Sequence, residues 1–182
     1  MDLVHDGARL AASLADWLGP LSFEGLSTDE VTGRIIDSVV AWGDAQGWRV
    51  YRRAASVVPL PPPLSRQHSV LDVACARPAG PPVAIEVDHT DRRRTFDKLV
   101  AEAGAGRIPV WVRWGPGPFA AAPAPVHLVT CRVTRRSGPA GQGRLHDRVP
   151  TRDRPPPEHS EPPTGSSTEI ALPIPFTDSA PR

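Results

Sequence analysis

Residues 69–88 read SVLDVACARPAGPPVAIEVD, and the rest of the architecture can be worked out from this stretch. Residues 69–75 and 83–88 alternate as strand residues do, whereas residues 77–82 hold three prolines and a glycine. A proline and glycine cluster between two such runs is typical of a turn. We therefore predict two neighbouring strands joined by a hairpin turn centred near Ala79 or Gly80.

Three acidic residues fall on one face of this hairpin. Side chains alternate between the faces of a strand, so Asp72 shares a face with Glu86 and Asp88 of the next strand. Two like charges at ~4 Å cost about 4 kcal/mol at an effective dielectric constant near 20. A cation, a bound proton or open solvent is needed to relieve that repulsion. Hard divalent cations such as Mg²⁺ take oxygen ligands of this kind.

Helices and further strands flank the hairpin. Apolar residues at helical spacing predict a helix over residues 2–18, and the capping-box sequence STDE at residues 27–30 begins a second helix that ends at Gly47. The remaining predicted elements are strands near residues 48–58, 108–114 and 127–133, and a third helix with its apolar stripe on Phe96, Leu99, Val100 and Ala103. The alternation of helices and strands predicts an α/β fold.

The chain divides into three predicted regions. Its 182 residues suit one domain of ordinary size with extensions. We expect an N-terminal helical extension over residues 1–26, a folded domain over residues 27–134 and a disordered tail over residues 135–182. The tail holds ten prolines and few aliphatic clusters, which cannot bury enough apolar surface to offset ordering entropy. Its apolar island at residues 170–176 can dock on a protein partner or on the domain itself, or it is an incidental apolar patch, which we favour.

Composition narrows the function classes. The formal net charge is +1, so any contact with nucleic acid has to come from a local basic patch. Cys75 and Cys131 lie in apolar runs and match no metal-binding spacing, which favours reduced cysteines in a core. No apolar run approaches the ~20 residues that span a bilayer. We expect a cytoplasmic protein with no membrane partner; its oligomeric state stays open.

The order of elements around the acidic hairpin resembles the PD-(D/E)xK nuclease superfamily. A helix precedes three strands, an Asp lies on the second strand and Glu-x-acid on the third, and a helix and another strand follow, over roughly residues 28–114. The hairpin is most similar to that of very-short-patch repair endonucleases and their relatives. The resemblance implies a restriction-endonuclease-like core, with a central mixed sheet of about four to five strands flanked by helices.

The resemblance also implies a function and assigns roles to residues. It implies cleavage of a DNA phosphodiester by a water activated at a carboxylate-bound Mg²⁺ or Mn²⁺. Asp72 matches the metal-binding Asp, Glu86 the second acid, and Asp88 the position usually held by lysine. Asp88 departs from that pattern, and there it can add metal affinity or act as a base. The predicted metal ligands are therefore Asp72, Glu86 and Asp88, and all three are candidate catalytic residues.

Lys98, the single lysine of the chain, is the candidate for a lysine displaced onto the third helix. At ~100° per residue it lies about 150° from the centre of the predicted apolar stripe. That position favours a solvated pair with Glu102, one turn on, over a catalytic role. Lys98 is nevertheless a candidate catalytic residue.

Other side chains near the hairpin have two interpretations each. Arg92, Arg93 and Arg94 are either a phosphate-binding run or a solvated entry to the helix. Glu30 is either a further acid of the site or only part of a capping box. His89 is expected on the face opposite the acids.

Two tryptophans follow in the next strand. Alternation places Trp111 and Trp114 on opposite faces, one in the core and the other, with Arg113, available to stack on a base.

The sequence is compatible with three functional hypotheses. The first is a Mg²⁺-dependent DNA endonuclease. The second is a catalytically inactive protein of the same fold that binds nucleic acid or a protein partner. The third is an unrelated α/β protein whose acids only face solvent.

Overall fold

The structure, a computed structural model, describes residues 3–137 and 144–147, and its elements follow the predicted order. The helices are α1 (Leu3–Leu18), α2 (Thr28–Ala45) and α3 (Arg93–Gly104); the strands are β1 (Arg49–Pro59), β2 (His68–Ala76), β3 (Val83–Asp88), β4 (Ile108–Gly115), β5 (His127–Arg132), β6 (Thr134–Ser137) and β7 (Arg144–Asp147). None of the helices in these residues has the length and apolar character needed to cross a bilayer.

Five strands form one mixed sheet in the order β1-β2-β3-β4-β5. β2 runs antiparallel to both of its neighbours, whereas β3, β4 and β5 are parallel. The parallel step from β3 to β4 requires a crossover, which α3 supplies. The predicted α/β fold with a mixed central sheet flanked by helices is confirmed.

The hairpin β2–β3 has the predicted register. Val73 pairs with Ile85 and Ala74 with Ala84, which centres the turn on Ala79. One more step along this register brings Asp72 opposite Glu86.

Different helices pack on the two faces of the sheet. On one face, α1 and α2 contribute Leu14 and Ile35 to the main core, where they meet Ile85 and Val110 of the sheet. On the other face, Leu99 of α3 packs with Trp111 and Val126 in a smaller cluster. Odd-numbered residues of β2 and β3 point into the main core, so the acidic side chains at even positions lie on the α3 face.

The start of α2 is fixed by the predicted capping box. The Ser27 backbone N–H donates to Glu30 Oε2 at 2.8 Å, and the Glu30 N–H donates to Ser27 Oγ at 3.4 Å. These contacts use the Glu30 carboxylate locally, so the capping interpretation of Glu30 is confirmed.

Both predicted domain boundaries need correction. α1 places Leu10, Leu14 and Leu18 in the main core, so residues 3–18 belong to the domain and are not an extension. At the other end, β6 and β7 pair inside the predicted tail. His146 of β7 is buried and lies edge-on to Trp114, with ring centroids 5.1 Å apart. The folded unit therefore extends at least to residue 147.

No apolar pattern predicts β7, because the buried side chain of that strand is a histidine. Residues 138–143 and 148–182, including the apolar island at 170–176, lie outside the described residues. Cys75 and Cys131 are reduced cysteines buried in the main core, as predicted.

Candidate functional site

A cleft of about 690 Å³ opens at the end of the sheet where β2 begins and β3 ends. It lies between the first half of α2 and the first turns of α3. The residues that matter for its chemistry are Asp29, Thr32, His68, Asp72, Glu86, Asp88, His89, Arg92, Arg94 and Lys98. All three predicted acids and three of the four predicted cationic residues thus line the same cleft.

Asp72 is held at the point where β3 separates from β2. The Val87 backbone N–H donates to Asp72 Oδ2 at 2.8 Å, which replaces a hydrogen bond of the sheet ladder. Burial raises the pKa of Asp72 above its ordinary value, the Val87 hydrogen bond opposes that change, and the negative charge of Asp88 adds to it.

Glu86 is the most perturbed acid of the cleft. Only 6 % of the residue is exposed, and desolvation raises its pKa to about 7 although Lys98 opposes the change. Lys98 Nζ lies 2.5 Å from Glu86 Oε1. At this distance the two groups form a close ion pair, and the Lys98 ammonium favours the charged form of Glu86. Asp72 and Asp88 repel the charged form of Glu86, which shows that the acids interact.

Asp88 is engaged elsewhere. Trp111 Nε1 donates to Asp88 Oδ2 at 3.1 Å. Within residues 3–137 and 144–147, no three His, Cys, Asp or Glu side chains are arranged to hold a metal ion. The predicted three-carboxylate metal site is therefore not assembled there. Asp72 and Glu86 remain as a desolvated pair, which contradicts the hypothesis that the acids only face solvent.

The predicted placement of Lys98 is wrong. Its ammonium contacts Glu86 and donates to the Val70 carbonyl at 2.7 Å, and its side chain is only 14 % exposed. The buried face of α3 is formed by Thr95, Leu99 and Glu102. At ~100° per residue, Lys98 lies about 65° from the centre of that face, close enough to reach over the sheet.

Glu102 also differs from its predicted role as a solvated partner of Lys98. It is fully buried and accepts hydrogen bonds from Ser56 Oγ at 2.5 Å and the Val57 N–H at 2.8 Å. Arg107 Nη1 donates to its other oxygen at 2.6 Å. These contacts fix α3 against β1 and thereby set the position of Lys98, one turn earlier.

The arginine run divides between two surfaces. Arg92 and Arg94 line the cleft, whereas Arg93 donates to Asp97 at 2.8 Å on the exposed side of α3. The first turn of α3 contains no acidic residue, although a helix N-terminus carries partial positive charge and favours anions. Arginines at that terminus are unfavourable unless an anion such as phosphate sits beside them.

Sequence reasoning missed two contributions from neighbouring elements. Asp29 and Thr32 of α2 line the cleft. Glu30, the residue of α2 that was one candidate for a further acid of the site, only caps the helix. His89 also lines the cleft, contrary to its predicted direction, because the strand ends at Asp88 and strict alternation ends with it. Its ring lies 5.5 Å from that of Trp114.

Neither tryptophan is free to stack on a base in this arrangement. Trp111 and Trp114 point to opposite faces, as predicted, but they are only 3 % and 2 % exposed. Arg113 covers the ring of Trp111 at 5.0 Å from its centroid. The predicted stacking role of an exposed tryptophan is therefore wrong.

No protein-family model matches the chain, and no curated protein matches it significantly. The resemblance to PD-(D/E)xK nucleases thus stays a prediction, which rests on the residues of the cleft and the order of the elements around them.

Proposed function

We propose that the protein is a Mg²⁺-dependent endonuclease that hydrolyses DNA phosphodiester bonds in the cleft. The observation that carries the proposal is Glu86, a carboxylate buried beside Asp72 and against Lys98, with a pKa raised to about 7. Perturbed acids grouped with a lysine in a cleft are typical of catalytic sites. Arg92 and Arg94 supply positive charge at the same cleft, as a phosphate substrate requires.

The donor set fits a hard cation bound by two carboxylates. Mg²⁺ commonly takes one or two carboxylates, while waters and substrate phosphates complete its shell. Asp72 and Glu86 provide oxygen donors, and a cation bound there would share Glu86 with Lys98, whose Nζ lies 2.5 Å from Oε1. Asp88 accepts a hydrogen bond from Trp111, and among the described residues the three acids are not arranged to hold one ion together.

Each side chain then has a defined task in hydrolysis. A bound divalent cation would polarise a phosphoryl oxygen and lower the pKa of a water molecule. Asp72 and Glu86 hold negative charge where that cation is needed, and the Val87 N–H keeps Asp72 in place. Lys98 favours the ionised form of Glu86 and would bring a cation to the developing charge on the phosphate. In hydrolysis the oxygen of a water molecule would bond to phosphorus while the phosphorus–oxygen bond to the leaving strand breaks. The water would lose one proton to solvent, and the leaving oxygen would gain one.

The second candidate is a protein of this fold that binds DNA without cleaving it. It is favoured by the contact between Glu86 and Lys98, which already neutralises the carboxylate without a metal ion. Asp88 instead of lysine on β3 points in the same direction. The two candidates share the arginines of the cleft and differ only in turnover.

Metal-dependent cleavage distinguishes the candidates. We expect purified protein to nick supercoiled plasmid in Mg²⁺ or Mn²⁺ and not in EDTA. Asp72→Asn should abolish nicking, whereas Asp97→Asn, which removes an exposed acid outside the cleft, should leave it intact. No product from wild type with either metal, on duplex or single-stranded DNA, would exclude the endonuclease.

The arginine run provides a prediction with its own control. We expect Arg92→Ala/Arg94→Ala to weaken binding of a DNA duplex at least about tenfold, because each lost charge-assisted contact is worth about 1.5–3 kcal/mol. Arg93→Ala removes the same charge from the exposed side of α3 and should change binding less than about threefold. Fluorescence anisotropy in EDTA measures both. Equal losses in the two variants would contradict a phosphate site at the cleft.

A further inference from the structure

β1 is an edge strand whose outer face remains open beside the acidic cleft. Arg49 pairs with Ala76 and Tyr51 with Ala74, so both side chains lie on the face that carries Asp72. Arg53 lies between Arg52 and Ala54, which pair with Val73 and Leu71, and therefore stands opposite Asp72. Arg49, Tyr51 and Arg53 are all exposed, Tyr51 by 49 %. We call these three residues the β1 strip.

The backbone of Arg53 is strained. Its φ is +49°, and it is the one non-glycine residue with positive φ in the described part of the chain. A side chain with a β-carbon is sterically disfavoured in this region, and glycine avoids that cost. Strain of this kind concentrates at functional sites.

The arginines of the strip form no ion pair within the described part of the protein. Neither Arg49 nor Arg53 forms an ion pair within the described residues, although Arg53 electrostatically lowers the pKa of Asp72. Arg52, on the same strand, instead pairs with Asp37 of α2. One face of β1 thus carries an internal ion pair, and the other carries two free guanidinium groups in line with the cleft.

We propose that the β1 strip binds backbone phosphates of duplex DNA and guides the duplex to the cleft. Arginine and tyrosine side chains are both common donors to phosphate oxygens. The strip begins opposite Asp72 and runs along β1 away from it. A polyanion that passes from the cleft onto this face meets Arg53, Tyr51 and Arg49 in turn. The inference rests on the proposed function, since it takes a polynucleotide as the substrate of the cleft.

The test compares two sets of arginines on one strand. Binding of a fluorescein-labelled 30-base-pair duplex is measured by anisotropy in EDTA over a range of salt concentrations. Arg49→Ala/Arg53→Ala should weaken binding at least about tenfold. It should also reduce the slope of log K against log salt by about 1.8, the value for two lost phosphate contacts. Arg52→Ala, the matched control, should change affinity less than about threefold.

A second variant separates binding from folding. Arg53→Gly removes the side chain and relieves the positive φ, so we expect stability equal to or above that of wild type, together with weaker DNA binding. Urea unfolding of the same preparation measures stability. A less stable protein with unchanged binding would overturn the functional explanation of the strain.

The outcomes distinguish this inference from the proposed function. If the double variant binds as wild type does, or if Arg52→Ala loses as much affinity, the strip is overturned and the cleft proposal stands. If Arg49→Ala/Arg53→Ala loses binding, Arg52→Ala does not, and wild type never nicks DNA, the strip is supported and the endonuclease is excluded. A wild-type protein that binds no duplex overturns the strip, and the nicking assays on duplex and single-stranded DNA then decide the cleft proposal separately.

Discussion

Lys98→Ala is expected to slow DNA cleavage at least about 100-fold, the lower end of what a catalytic proton-transfer or charge-stabilising group contributes. Two physical effects act together. The ammonium that contacts Glu86 is lost. Without this cation, desolvation raises the pKa of Glu86 above its present value of about 7, so the carboxylate is protonated at neutral pH and cannot bind a metal ion.

A pH profile separates these two effects. If Lys98 acts only by keeping Glu86 ionised, the cleavage rate of Lys98→Ala should recover as pH rises above 8. If the ammonium also stabilises charge on the phosphate, the loss should persist at pH 9 while Lys98→Arg retains part of the activity. Arg93→Ala removes another cation from α3, outside the cleft, and should cleave at a rate close to that of wild type. Cleavage by Lys98→Ala within threefold of wild type between pH 7 and 9 would contradict both roles.

Glu86→Gln is expected to change how stability depends on pH. The pKa of Glu86 is 4.5 ordinarily and about 7 in the folded protein, so the folded state holds the proton more tightly than the unfolded state. Its contribution to stability is therefore complete below pH 4.5, falls as pH rises towards 7, and is lost above 7. At about 1.36 kcal/mol per pKa unit, the loss is on the order of 3 kcal/mol.

Urea unfolding at several pH values between 4.5 and 8 measures this effect. Other groups titrate in both proteins, so the informative quantity is the difference between wild type and Glu86→Gln. We expect wild type to lose stability relative to the variant across this range, whereas Asp97→Asn should track wild type. Parallel curves for wild type and Glu86→Gln would show that the Glu86 carboxyl has an ordinary pKa.

Local signals explain why the hairpin and α2 were predictable. The proline and glycine residues at 77–82 leave little freedom in the turn, and the turn fixes the register that brings Asp72 opposite Glu86. The capping box specifies the start of α2 by contacts within four residues. Both interactions join residues that are close in the sequence, so the turn and the helix start can be predicted before any tertiary contact is known.

The face of α3 could not be read in the same way. Aliphatic spacing placed the buried stripe around Phe96 and Val100, but Val100 is 37 % exposed and the acidic Glu102 is fully buried. Glu102 is buried because Ser56, Val57 and Arg107 satisfy its oxygens. Those partners lie outside α3, so the spacing of apolar residues within α3 cannot predict them. Because the buried face of α3 was predicted at the wrong rotation about the helix axis, Lys98 was predicted to point away from the sheet.

The contribution of α2 to the cleft and the role of the β1 strip could not be predicted from sequence for a related reason. Asp29 joins the cleft only because α2 packs next to the end of the sheet. Arg53 is distinguished from its neighbours by its backbone angle and by its place opposite Asp72, which are tertiary properties. Charge counts alone, at a net +1, gave no sign of either basic surface.

Single-turnover nicking of supercoiled plasmid in Mg²⁺, compared between wild type and Glu86→Gln, is the most direct test of the cleft as a hydrolytic centre. We predict cleavage by wild type and a rate at least about 100-fold lower for the variant, because loss of a carboxylate ligand removes metal-assisted charge stabilisation. Binding of the duplex in EDTA should remain within about threefold, since the arginines are intact. Equal nicking by the two proteins would contradict a role for Glu86 in cleavage.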